Sequence, residues 1–183
     1  NSLIRRDGYV IVSAAWVTFS LFGMLPYYIG GYIPSVTDAF FETMSGLTTT
    51  GATVLTGLEL LPASVNLWRH ALNWFGGMGI IVFAVAILPL LGVGGMQLYR
   101  AETPGPMKDS KLTPRIAGTA KALWLVYFGI TLACVLALRG AGMNWLDAVC
   151  HAFAALSLGG FSTYDASVGH FDSPLIETVL IVF

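Results

Sequence analysis

The chain has 183 residues, 56% of them hydrophobic and 10% charged, with a net charge of −1. Soluble domains carry about 25% charged residues, so an ordinary soluble fold is excluded, and so is intrinsic disorder, which needs low hydrophobicity. The near-neutral charge argues against a nucleic-acid partner, and two cysteines, Cys134 and Cys150, cannot build a disulfide framework; the remaining class is an all-α integral membrane protein.

No residue between Asp7 and Asp38 is charged. The sequence predicts a spanning helix from Tyr9 to about Leu25, broken at Pro26, with Tyr27, Tyr28 and Tyr32 at the membrane interface. The stretch Asp38–Val54 follows. It is too polar to span and too apolar for an ordinary loop. Its first part, 38–48, reads as a half-helix of about 15 Å, which enters a membrane without crossing it. Its second part turns abruptly to Thr and Gly.

The next uncharged run, Ala71–Tyr99, predicts a helix over Trp74–Leu91. Gly76, Gly77 and Gly79 within it read as close helix packing. Gly92-Val-Gly-Gly-Met-Gln97 is not a dinucleotide fingerprint, because Gln97 stands where the third Gly belongs. Arg100–Arg115 mixes charges with three prolines and reads as a connector. Its basic residues suit anionic lipid or, alternatively, a soluble partner. A further span is expected over Ala122–Leu138.

A second short stretch, Asp147–Thr163, repeats the character of the first, with a half-helix over 147–157. The final apolar run, Pro174–Phe183, covers only about 15 Å. Together with a first residue that is not Met, it leads us to expect a chain cut through a membrane helix.

If both short stretches re-enter, the N-terminus and the 100–121 segment share one side. Seven of the nine basic residues then lie there, leaving only Arg69 and Arg139 opposite. The positive-inside rule makes that side cytoplasmic. The seven acids Asp38, Glu42, Glu59, Asp147, Asp165, Asp172 and Glu177 fall on the outer side and would concentrate cations there.

The two short stretches align at an offset of 109. Asp38 matches Asp147, Leu47 matches Leu156, Gly51 matches Gly160, and Thr53 faces Ser162. Each copy sits between spanning helices, so the unit is helix, half-helix with Gly loop, helix. Non-helical backbone at membrane depth must be buried in protein or line a watery cavity. Gly51 and Gly160 permit the left-handed turn that lets consecutive carbonyls face one axis. Carbonyl rings of that kind replace the hydration shell of a monovalent cation. His151 stands where Glu42 stands in the first copy. It reads as a hydrogen-bonded helix residue rather than a metal ligand, and the cysteines read as small buried apolar residues. No set of side chains suggests an enzyme.

The strings Asp38–Val54, Trp74-Phe-Gly-Gly-Met-Gly-Ile-Ile81, Leu88–Glu102 and Gly159-Gly-Phe-Ser-Thr163 resemble the TrkH-type membrane subunits of bacterial Trk potassium uptake systems. The resemblance covers essentially the whole chain. It implies repeated helix–pore helix–filter loop–helix units of potassium-channel type, about two of four being present. It implies potassium as the ion, with filter carbonyls from Thr49 and Thr50 leading into Gly51, and from Leu158 and Gly159 leading into Gly160. It also implies a homodimer in the bacterial inner membrane, gated by a nucleotide-binding TrkA-type cytoplasmic subunit.

The organisation expected is a first repeat over 1–99, a cytoplasmic connector over 100–121 and a second repeat over 122–183. Half of a broken-helix secondary transporter for another cation is the main alternative. A membrane scaffold without a pore is the other, and it leaves the paired Thr/Gly loops without a purpose.

Overall fold

The structure is a computed structural model that describes residues 5–82 and 112–183. Among these residues every regular element is a helix. In chain order they are α1 (Arg5–Gly23), α2 (Leu25–Ile29), α3 (Val36–Leu47), α4 (Ala63–Val82), α5 (Leu112–Gly140), α6 (Trp145–Leu156) and α7 (Pro174–Val182). Short 3₁₀ turns cover Leu58–Leu60 and Ser167–Phe171. The Gly92–Gln97 motif, residues 100–111 of the expected connector and the 83–91 part of the expected third helix lie outside the described residues.

Among the described residues, two segments are long and apolar enough to cross a membrane, Val12–Ile29 and Ala120–Gly140. They coincide with two of the expected spans. The first helix is interrupted at Met24, two residues before the proline expected to break it. Pro26 instead opens α2, where its missing N–H has no intrahelical partner to lose. Helix α5 begins at Leu112, so residues 112–121 continue the span as helix. Pro114 is tolerated there for the same reason, being in the first turn.

Helices α3 and α6 are each 12 residues long and start 109 residues apart. Each reaches about 18 Å. Both begin before the acid expected to open them, because the capping residue lies three positions upstream. The Asp38 N–H donates to Ser35 Oγ at 3.3 Å, and the Asp147 N–H donates to Asn144 Oδ1 at 2.8 Å. Such caps satisfy one of the unpaired first-turn donors and contribute about 1 kcal/mol each.

Helix α4 begins at Ala63, well upstream of the expected Trp74, and carries its polarity inward. Asn66, Arg69, His70 and Asn73, at i, i+3, i+4 and i+7, are all buried, while Leu67, Phe75 and Ile80 are exposed. The sequence reading left Arg69 outside the helix, before the uncharged run Ala71–Tyr99, and put it on the outer side. In fact the charge sits on the face that meets the rest of the protein.

Three apolar clusters hold the helices. Tyr27, Ala39, Leu47, Val65 and Leu72 join α2, α3 and α4. Cys134, Leu138, Ala148, Ala152 and Ile176 join α5, α6 and α7. Trp74 and Tyr127 bridge the two groups. The Trp74 indole stacks on Tyr127 and Phe153 at centroid distances of 5.4 and 5.1 Å, and its N–H donates to Thr131 Oγ1 at 3.0 Å. Each helix–short helix–helix unit therefore has its own core, with α4 shared between them.

Candidate functional site in the two matched loops

The chain leaves α3 and α6 by the same route. The Thr49 N–H donates to Gly46 O at 3.0 Å and the Thr50 N–H to Ser45 O at 2.9 Å. In the second unit the Leu158 N–H donates to Ala155 O at 3.0 Å and the Gly159 N–H to Ala154 O at 2.9 Å. This is the Schellman pattern, whose turning residue is usually glycine because it must be left-handed. Here that residue is Thr49 (φ 54°) in one unit and Leu158 (φ 57°) in the other. A left-handed non-glycine residue costs on the order of 1–3 kcal/mol. Two residues further on, Gly51 (φ 75°) and Gly160 (φ 74°) are left-handed as well.

The sequence reading assigned the turn to the glycines alone. The structure has two left-handed residues per loop, separated by one that is not, at equivalent positions of both units. In ordinary extended backbone, successive residues present alternate faces. Alternating handedness departs from that pattern at equivalent positions of both loops.

The limb leaving each loop is tied back to its own short helix. Thr53 Oγ1 donates to the Glu42 carboxylate at 2.9 Å, and the Val54 N–H donates to Glu42 Oε2 at 3.1 Å. At the equivalent positions His151 Nε2 pairs with Ser162 Oγ at 3.0 Å. His151 Nδ1 pairs with the Asp147 carbonyl at 2.8 Å, so the histidine is a hydrogen-bonded helix residue, as expected. Cys134 and Cys150 are free and fully buried.

The glycines of α4 bring both loops onto that helix. A β-carbon on Gly76 would overlap the Leu47 carbonyl oxygen, and one on Gly77 would lie 2.7 Å from Ser157 Cβ. The close-packing role expected for these glycines is thus directed at the C-terminal ends of α3 and α6. The Asn73 amide occupies the space a Gly159 side chain would need. The two loops also meet each other: a β-carbon on Gly51 would overlap the Gly159 carbonyl oxygen. The six residues singled out in the sequence, Thr49 to Gly51 and Leu158 to Gly160, are therefore brought together as two adjoining turns.

Charge at the site departs from the sequence reading. Arg69 and Glu42 are both fully buried and form an ion pair at 2.9 Å, so neither contributes to an outer field. Asp147 is buried too, and accepts from Thr163 Oγ1 at 2.7 Å and from the Tyr164 hydroxyl at 2.9 Å. The acids left facing outward are Asp38, Glu59, Asp165, Asp172 and Glu177. Asp165 links the two units beyond the loops. Its carboxylate accepts the N–H of Gly57 at 2.7 Å and of Leu58 at 3.0 Å, and those two donors hold its pKa below the ordinary carboxylate value.

Arg69 and Asn73 were not recognised from the sequence. The signal was the polar spacing 66, 69, 70, 73 running into Gly76 and Gly77, which puts all six on one helical face.

The family described as TrkH, cation transport protein, matches residues 2–183. The Trk system potassium uptake protein TrkH of Halomonas elongata is 58% identical over 184 residues, and that of Escherichia coli K12 is 59% identical over 185. Each comparison covers 100% of this chain and 38% of the relative, so the chain spans less than half the length of these relatives. The crystal structure of the potassium transporter TrkH from Vibrio parahaemolyticus superposes with a TM-score of 0.82 at 50% identity, covering 97% of this chain and 35% of that one.

Proposed function

The chain belongs to the TrkH family of cation transport proteins, and we propose that, within a longer potassium uptake protein, it supplies two of four filter loops lining the ion path. The ion is the cargo, and no covalent chemistry is involved. The carbonyls of Thr49, Thr50 and Gly51, and of Leu158, Gly159 and Gly160, replace water around a dehydrated potassium ion. The observation that carries this reading is the matched pair of left-handed residues, 49 and 51 against 158 and 160. Strain repeated at equivalent positions of both units needs a function to retain it.

Electrostatics supports the same reading. Helices α3 and α6 end at the loops, so their negative dipole ends favour a cation there. The exposed outer acids raise the local cation concentration. In both units the loop follows the short helix, which suits a cation path better than a carrier that aims helix N-termini at an anionic substrate.

On the same proposal the protein is a multi-pass subunit of the bacterial inner membrane, with the N-terminus and the 100–121 segment on the cytoplasmic side. The relatives are named as parts of a Trk system. Those names support an assembly of several parts; the resemblance to TrkH-type subunits adds to the proposal a nucleotide-binding TrkA-type gating subunit and a homodimer of the membrane subunit, and the basic residues of the 100–115 connector suit anionic lipid.

The test is the potassium-over-sodium flux ratio of a full-length family protein carrying this chain, with Gly51→Ser or Gly160→Ser. A side chain at either position disturbs the left-handed turn, and both variants are expected to lose selectivity. Normal expression with an unchanged ratio in both would overturn the filter assignment.

A further inference from the structure

Arg69 stands between the two loops and touches both. Its Nε donates to Glu42 Oε1 at 2.9 Å, and its Nη2 reaches Thr53 Oγ1 at 3.3 Å. On the other side its Nη1 donates to the Ser162 carbonyl at 3.2 Å and to Asn66 Oδ1 at 3.4 Å. The guanidinium carbon lies 4.4 Å from the centre of the Phe161 ring. Thr53 lies two residues past Gly51, and Ser162 two residues past Gly160. One side chain thus grips equivalent points on the outgoing limbs of both loops.

The arrangement is not repeated in the second unit. At the offset of 109, Glu42 becomes His151, and α7 (Pro174–Val182), which follows the second loop as α4 follows the first, carries no basic residue. The second loop therefore has a neutral tie to its own helix, His151 to Ser162, and takes its charged tie from the first unit.

Burying an ion pair is a poor way to gain stability, because desolvation offsets most of the attraction. What a buried arginine offers instead is geometry. Its planar fork carries five donors in fixed directions, whereas lysine is a point charge on a flexible stem. A lysine can neutralise Glu42, but it cannot hold Glu42 and the Ser162 carbonyl on opposite sides of one rigid plane.

Resting on the filter reading above, we infer that Arg69 is a positioning residue for ion selection: it fixes the spacing between the two loops, and so the size of the carbonyl cage, without touching the ion. The experiment uses a full-length family protein carrying this chain, with Arg69→Lys and, separately, Thr53→Val. The second variant is nearly isosteric and leaves the Arg69–Glu42 pair and the Val54 N–H bond to Glu42 intact, while removing the Thr53 hydroxyl that binds both side chains.

Each variant is measured for potassium-over-sodium flux ratio and for melting temperature in detergent. Arg69→Lys is expected to assemble and to lower the ratio by about tenfold, the effect of about 1.4 kcal/mol on the difference between the two ions' barriers. Thr53→Val is expected to lower it in the same direction by less. A merely structural arginine would lower the melting temperature or the yield and leave the ratio of the assembled protein unchanged. An unchanged ratio in Arg69→Lys overturns the inference; if that variant does not assemble, an unchanged ratio in Thr53→Val overturns it. Gly51→Ser is run alongside. If it shifts the ratio while the other two do not, only the role of Arg69 fails; if it too leaves the ratio unchanged, the filter reading fails with it.

Discussion

Gly76 in α4 lies against the carbonyl oxygen of Leu47, the last residue of α3, with no room between them for a β-carbon. The α3 terminus is therefore seated directly on the α4 backbone. One helical turn on, Gly79 has space: among the described residues a β-carbon there would meet only the Trp16 ring, at 3.6 Å. The two glycines share a helix and differ in what faces them. Gly76→Ala is expected to destabilise the protein by about 1–3 kcal/mol, as overpacking does. Gly79→Ala is expected to be neutral or to stabilise by up to about 1 kcal/mol through helix propensity. Melting temperatures of the two variants in the same detergent check this, and equal values would contradict the close approach.

Asp165 predicts a dependence on acidity. Its folded pKa is depressed by the Leu58 and Gly57 N–H groups. The stabilisation is therefore complete above the unfolded value of about 3.9 and is lost as pH falls through the lower folded value. Asp165→Asn keeps the shape but removes the charge. At pH 7 the variant should melt below wild type, and the gap should close as pH drops below the ordinary carboxylate range. Because Asp165 is exposed, the gap should also narrow with added salt. A gap independent of pH would assign the link to shape rather than charge.

Topology can be read by labelling. With residues 100–121 cytoplasmic, an impermeant thiol reagent applied to intact cells should miss Ser110→Cys and react once the membrane is permeabilised. Ser167→Cys, exposed in the turn beyond the second loop, should react from outside. The native Cys134 and Cys150 are fully buried, so the background should be low. Labelling of both sites from the same side would invert or break the proposed arrangement.

Several features were legible without coordinates because they depend on short stretches of chain. The spans over Val12–Ile29 and Ala120–Gly140 follow from the length of uncharged runs. The two short helices and their loops follow from a switch to Thr and Gly repeated at one offset. Gly51 and Gly160 were recognisable for the same reason, since a glycine that follows a short helix-compatible run among Thr and Ser residues marks a turn. The left-handed conformation of Thr49 and Leu158 was not recognisable, because nothing in their side chains favours what the helix ends impose on them.

The amino-acid sequence by itself determined the membrane class, the doubled unit and the two loops with Gly51 and Gly160, since composition, run length and spacing are properties of neighbours along the chain. Only the tertiary structure decided where the charges go. Arg69 and Glu42 read as outward-facing, yet the fold buries both. The partners that make this tolerable come from 27 residues away in Glu42 and 93 residues away in Ser162. The desolvation of a charge is settled by the groups packed around it in space, and no local pattern of residues records which distant carbonyl will stand beside a guanidinium.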